Sequence, residues 1–171
     1  MKIILLAFSC LLFLTTIGFA QKYNKRAIDP KNQKEMLVGL CNRHGLESAP
    51  FSEWFNKEYT NYQPDTLTLD LLKDQMKGVR IVLVMASWCG DSRREVPRFY
   101  KILDYLDFKA KRMKVISTDR EKKAGKVPVE ELKIQLVPTF VIYKNDKELG
   151  RIIESPAVSL EKDLLKILSN K

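Results

Sequence analysis

The sequence predicts an α/β domain, a mixed central sheet with helices on both faces, and three observations predict it. Ile81 to Met85 is an unbroken apolar run, the pattern of a strand buried on both sides. A helix pattern and a second strand candidate, Met113 to Ser117, follow it and make a strand-helix-strand unit. Gln135 to Tyr143 and Glu148 to Ile153 then read as strands joined by the tight turn Lys144-Asn145-Asp146-Lys147, so an antiparallel hairpin completes the sheet.

The chain has 171 residues, 45% of them hydrophobic, which is enough for one globular domain of ordinary core size with short extensions. Its first twenty residues are of another kind. Lys2 precedes an apolar run from Ile3 to Leu14, and Gly18 and Ala20 are small residues three before and just before Gln21. This predicts a secretory signal peptide over residues 1–20, cut after Ala20. The run is shorter than the ~20 residues a membrane span needs. Cys10 comes too early for a lipoprotein signal, and no second apolar stretch is long enough to cross a bilayer, so membrane contact is expected only through the leader. Cleavage takes the formal charge from +9 to +8 by removing Lys2. The cations are scattered among carboxylates, and no basic helix face with interleaved aromatics is present, which excludes nucleic acid as a partner.

Residues 21–65 are expected to form an N-terminal helical extension packed on the core. Asp29 is placed as an N-cap, Pro30 at the first helical position and Gly45 past the end, with Met36, Leu37, Leu40 and Cys41 on one face. His44, the sole histidine, is expected exposed in the last turn, which leaves no two-histidine metal site and no Cys-His pair to argue. Phe51, Trp54, Phe55 and Tyr59 recur at helical spacing and read as core. Asp65 and Thr66 open a helix whose apolar positions are Leu67, Leu71, Leu72 and Met76, and Gly78 ends it. Beyond the first central strand, a helix carries Val96, Phe99, Tyr100, Leu103 and Leu106, with Pro97 inside it as a kinking residue. Glu121 to Val127 is a charged loop, and Val129 to Ile134 a short helix. Ser159 caps a closing helix with Leu160, Leu164, Leu165 and Leu168 inward.

Two cysteines remain after cleavage, Cys41 and Cys89, too few for a disulfide scaffold. Either they pair, or one is held free for a reason. Cys41 reads as a small buried hydrophobe or as a partner for Cys89. Cys89 stands at the joint between the Ile81 to Met85 strand and the following helix, where unpaired N–H groups and the helix dipole stabilise a thiolate. Gly90, Asp91 and Arg93 are the candidates for tuning that thiolate. Arg93 and Arg94 favour ionisation, Asp91 opposes it by like charge, and the Ser92 hydroxyl is one turn from the sulfur.

Trp88-Cys89 after a buried strand, a C-x-x-x motif opening a helix, Pro97 eight residues past the cysteine and Val137-Pro138-Thr139 at the hairpin occur in order. On these residues the chain resembles the thioredoxin superfamily over residues 66–171. The resemblance implies a thioredoxin-like fold and a cis Pro138 facing the active cysteine. A cis X-Pro bond turns the chain sharply and leaves the Val137 backbone able to pair with an extended peptide, so Trp88, Val137, Pro138 and Thr139 become substrate-binding candidates; otherwise Pro138 is a strand-start proline. Trp88 to Arg93 with Glu95-Val96-Pro97 is also similar to exported thioredoxin-like proteins of bacteria, which implies the periplasm.

Two departures bear on activity. Family redox enzymes carry a second cysteine where Ser92 stands and a buried acid where Leu83 stands. The resemblance therefore implies a monothiol disulfide oxidoreductase or isomerase, with Cys89 and Ser92 as the catalytic pair and exported disulfide- or thiol-bearing proteins as partners. An external thiol reductant or oxidant, or Cys41, is then required to resolve the mixed disulfide. Resolution by Cys41 requires Cα atoms about 4.4 to 6.8 Å apart. The alternative is a non-catalytic thioredoxin-fold module that binds peptides or proteins. Neither reading implies a metal or a cofactor; an iron-sulfur cluster of the monothiol glutaredoxin kind is at odds with an oxidising compartment.

Overall fold

The structure is a computed structural model and describes residues 23–170. The expected leader and its cleavage site lie outside the described residues.

Among the described residues, twelve strands and α-helices follow the order β1 (Arg26–Ile28), β2 (Glu35–Leu37), β3 (Gly39–Cys41), α1 (Arg43–Leu46), α2 (Ser52–Asn61), α3 (Thr66–Lys73), β4 (Val79–Met85), α4 (Gly90–Tyr105), β5 (Met113–Ser117), β6 (Thr139–Lys144), β7 (Lys147–Ile153) and α5 (Leu160–Ser169). β1 and β2 form a separate hairpin, and the central sheet runs β3-β5-β4-β6-β7. β4 and β5 are parallel, with Met85 opposite Ser117, and every other pairing in the sheet is antiparallel. The mixed sheet expected from the sequence is therefore formed, with β4 at its centre.

That central place explains the apolar run of β4. Ile81, Leu83 and Met85 enter a core cluster with Phe55, Leu69, Phe99, Phe140 and Leu164, so residues of α2, α3, α4 and α5 all pack on this face. Val84 points the other way, into a smaller cluster with Leu40, Ile116, Val129 and Val137. The helical cover is thus unequal. On the second face the helix expected over Val129 to Ile134 is a single 3₁₀ turn, Glu130–Leu132, ended by Lys133 at φ +52°. The preceding stretch is charged and lacks a helical apolar stripe, so it closes this face as irregular chain.

The N-terminal region differs from the expected helix. Asp29 caps no helix; it sits in the β1-β2 turn, where its carboxylate accepts the Lys31 N–H. The spacing of residues 36, 37, 40 and 41 that suggested a helix face is equally satisfied by two short strands: Leu37 and Cys41 enter the large cluster and Leu40 the small one. Gly39, at φ +93°, breaks the chain between them. β3 then adds a strand to the central sheet beside β5, so the extension is part of the sheet as well as packed on it. His44 is exposed in the short α1.

α2 forms where the aromatic stripe predicts it, with Phe51 and Phe55 buried. It is tied to α4 by the Glu58–Arg98 ion pair at 2.7 Å. The Asp65 side chain accepts the Leu67 and Thr68 amides and caps α3. The buried face of α3 is Thr68, Leu69 and Leu72; Leu67 and Leu71 are exposed, because α5 meets the helix on its other side. β6 begins at Thr139, after the Val137–Pro138 bond, which is cis.

Candidate active site

The parallel pairing of β4 and β5 places their C-terminal ends side by side, so the segments leaving them, residues 86–89 and 118–120, meet. Ligand sites in open α/β sheets lie at such ends. Cys89 is the N-cap of α4, with extended backbone and a carbonyl that accepts the Arg93 N–H at 3.0 Å. No side chain caps the helix here, so the cysteine sulfur lies at an uncapped N-terminus whose dipole and N–H groups favour an anion. The thiol is half-buried and donates to the Val137 carbonyl at 3.2 Å, across the cleft from α4.

The structure brings Cys89, Trp88, Val137 and Pro138 together. Val137 and Thr139 are buried, and the Thr139 hydroxyl is turned back to the Leu136 carbonyl at 2.7 Å, so Thr139 supports the proline loop. Glu154 N–H donates to the Pro138 carbonyl at 2.7 Å and holds the loop from β7's side. Trp88 is half-buried, and its indole N–H donates to the Thr118 carbonyl at 3.0 Å.

Ser92 is placed otherwise than the sequence suggests. It is fully buried, and its Oγ accepts the Ala86 N–H at 3.1 Å, a bond within the β4-α4 turn and not one to the sulfur. Among the charged neighbours, Asp91 is engaged by Arg94 at 2.7 Å, and Arg94 also reaches Glu95 and the Ser155 hydroxyl. Arg93 donates to the Ser87 carbonyl at 2.6 Å and makes no salt bridge among the described residues. Gly90 is exposed, and a side chain there would meet nothing within 4 Å, so the position needs no glycine for space.

Cys41 is not brought to Cys89. It lies in β3 opposite Val115, level with Leu83, two strand spacings or roughly 10 Å from β4. Cys89 lies six residues farther along the chain from that level. Both thiols are free. Cys41 is 2% exposed, and burial pushes its thiol up to about 12, which keeps it protonated. The resolving role considered for it is corrected to that of a core residue, since the separation exceeds disulfide reach. Leu83, at the position of the family's buried acid, is fully buried in the large apolar cluster. Among the described residues no group of three or more His, Cys, Asp or Glu is arranged to hold a metal ion.

Sequence reasoning assigns none of Asp29, Ser87 and Arg120 to the site, and expects Asp29 only as a helix cap; Arg120 lies against Trp88, Asp29 holds Arg120, and Ser87 precedes Trp88 in the β4-α4 loop. The Arg120 guanidinium lies over the Trp88 ring, 4.3 Å from its centroid, and grips the Asp29 carboxylate through Nε and Nη2, the shortest contact being 2.6 Å. The Ser87 hydroxyl accepts the Leu37 N–H at 2.9 Å. The available signal was the position of Arg120 just past the end of a strand parallel to β4.

A cysteine at the N-terminus of the helix after the central strand, facing a cis-proline loop on a mixed sheet, defines a thioredoxin-fold protein. The thioredoxin family model matches residues 63–167, and the chain belongs to that family. It is similar to "Thioredoxin-like protein R548" of Acanthamoeba polyphaga mimivirus, 29% identical over 94 residues, covering 55% of this chain and 66% of that protein. It is also similar to "Putative thioredoxin-5" of Dictyostelium discoideum, 33% identical over 90 residues, covering 53% of this chain and 82% of that protein. The chain thus spans slightly less than two thirds of the first of these relatives. Among solved structures, Fasciola hepatica thioredoxin is 19% identical, with 58% of this chain and 86% of that one covered and a TM-score of 0.38. A protein of unknown function from Pseudomonas aeruginosa, PA1234, is 13% identical, with 69% and 79% covered and a TM-score of 0.46. Membership of the thioredoxin family makes thiol-disulfide exchange the class of chemistry to consider.

Proposed function

We propose that this protein is an exported monothiol disulfide oxidoreductase that forms mixed disulfides through Cys89. One observation carries the reading: Cys89 is the half-accessible thiol at the uncapped N-terminus of α4, facing Val137 and Pro138, while Cys41 is buried away from it. In the first step the Cys89 thiolate attacks one sulfur of a substrate disulfide. A Cys89–substrate S–S bond forms, the substrate S–S bond breaks, and the other substrate sulfur leaves as a thiolate that takes a proton from water. In the second step another thiolate attacks the mixed disulfide and releases Cys89. When the attacker is a second thiol of the substrate, a new substrate disulfide forms and the net reaction is isomerisation. When it is an external small thiol, a further molecule of that thiol carries off the oxidising equivalents and the substrate is reduced.

The motif holds no resolving thiol, because Ser92 is a hydroxyl residue whose oxygen is committed to Ala86. The leader-like first twenty residues support an exported setting, in keeping with the bacterial periplasm, where disulfide-bearing proteins are the available partners. Incubation with a disulfide-bonded peptide followed by intact-mass measurement tests this reading. A covalent adduct on the native chain and none on Cys89→Ser is expected. Equal labelling of both would reject Cys89 as the nucleophile, and no adduct on either would favour a non-catalytic binding module.

A further inference from the structure

Asp29 is a buried acid linked to the site through Arg120, and its environment is unusual for a turn residue. It is 1% exposed, and both carboxylate oxygens are taken by Arg120, with the Lys31 N–H as a third donor. A buried carboxylate is tolerated only when so paired. Arg120 in turn lies over Trp88, the residue before the nucleophile, whose indole is held on its other edge by Thr118. The Asp29 hydrogen bonds push the Arg120 guanidinium further above its ordinary value, so a full positive charge is held over the indole.

A second link runs beside the first. The Leu37 N–H of β2 donates to Ser87 Oγ, and the Leu37 carbonyl accepts from Ser117 Oγ at 2.7 Å, so the same hairpin is bonded to the loop that carries Trp88 and Cys89. Residues 26–37 all precede the segment matched by the family model. The shared family region therefore supplies Ser87, Ser117 and Arg120 but not their hairpin partners Leu37 and Asp29.

We propose that the N-terminal hairpin is a working part of the active-site rim: Asp29 holds Arg120 over Trp88, and this clamp fixes the indole as the wall along which a polypeptide disulfide approaches Cys89. The inference rests on the exchange reading above. Arg120 and Asp29 are positioning residues that act through Trp88. A polypeptide disulfide needs the wall, whereas a small aromatic disulfide reagent reaches the half-exposed sulfur without it.

The test compares adduct formation by the full chain and by Asp29→Asn with two reagents, a disulfide-bonded peptide and dithiobis-nitrobenzoate. A Trp54→Phe background lets indole fluorescence report Trp88. The expected result is a rise of about three- to thirtyfold in the half-saturating concentration of the peptide disulfide, the span of one cation–π contact, with the small reagent unchanged within about twofold. Acrylamide quenching of Trp88 rises in the same variant. Because Asp29→Asn leaves the Arg120 charge unpaired, Asp29→Ala with Arg120→Met removes both charges at once and is expected to show the same split. Unchanged peptide reaction in both variants, or equal losses for the two reagents, would overturn the clamp. A native chain that reacts with neither reagent would instead overturn the exchange reading and the proposal with it.

Discussion

Replacing Ser92 by alanine separates two roles for its hydroxyl, a bond to sulfur and a bond within the turn. The structure shows Ser92 Oγ accepting the Ala86 N–H at 3.1 Å, with both residues fully buried. Ser92→Ala leaves that amide with no acceptor and no room for water. An unsatisfied buried donor costs about 1–3 kcal/mol, and the loss should show in urea unfolding as a lower midpoint at unchanged m. Ser92→Cys, kept reduced, retains a weaker acceptor at this place but brings a larger atom into a fully buried site, and a loss of about 0.5–1.5 kcal/mol is expected. The second-order rate of Cys89 with a small disulfide should stay within about twofold in Ser92→Ala, since the hydroxyl touches the turn and not the sulfur. A fall of tenfold or more at unchanged stability would refute this reasoning and give the hydroxyl a direct part in the chemistry.

Two further outcomes follow from the thiols and the helix caps. Cys41, protonated and 2% exposed, should resist alkylation in the folded protein at pH 8 to 9 while Cys89 reacts, and Cys41→Ala should leave adduct formation unchanged; peptide mapping after alkylation checks both. Asp65 is held below the ordinary carboxylate value, first by the Thr68 hydroxyl and amide, so the unfolded chain takes up the proton before the folded one as pH falls. Its stabilisation is complete above the unfolded value near 3.9 and is lost as pH falls through the lower folded value. Asp65→Asn should therefore lower Tm at pH 7, and the difference should narrow as pH falls below the unfolded value in calorimetric scans.

Much of the fold was legible because local and tertiary preferences coincide there. Met113 to Ser117 forms β5 with the expected bounds, and α4 follows its apolar stripe from Val96 to Leu103. Cys89 at the strand-to-helix joint and the Val137-Pro138 loop were legible for the same reason, as a run of residue types at fixed offsets. The N-terminal hairpin was not, because residues 36, 37, 40 and 41 satisfy a helix face and a pair of strands alike, and only pairing of β3 with β5 decides between them. Leu67 and Leu71 show the same limit on a smaller scale: the stripe predicts which leucines share a face, and contact with α5 decides which face is buried. Asp29 and Arg120 are 91 positions apart, and no pattern within either segment announces that they meet. The reach of Ser92 Oγ to Ala86 likewise depends on how the turn closes, which residue types alone do not fix.

Cys89 is, on this reading, a single nucleophilic sulfur with no resolving partner among the described residues. The measurement that tests this most directly is the lifetime of the Cys89–peptide adduct, purified from excess reagent and followed by intact mass with and without a small external thiol, using a peptide that keeps no second cysteine. The adduct is predicted to persist without the thiol and to be released as free Cys89 when it is added. Spontaneous release in its absence, with a Cys41–Cys89 disulfide recovered in the chain, would contradict the account.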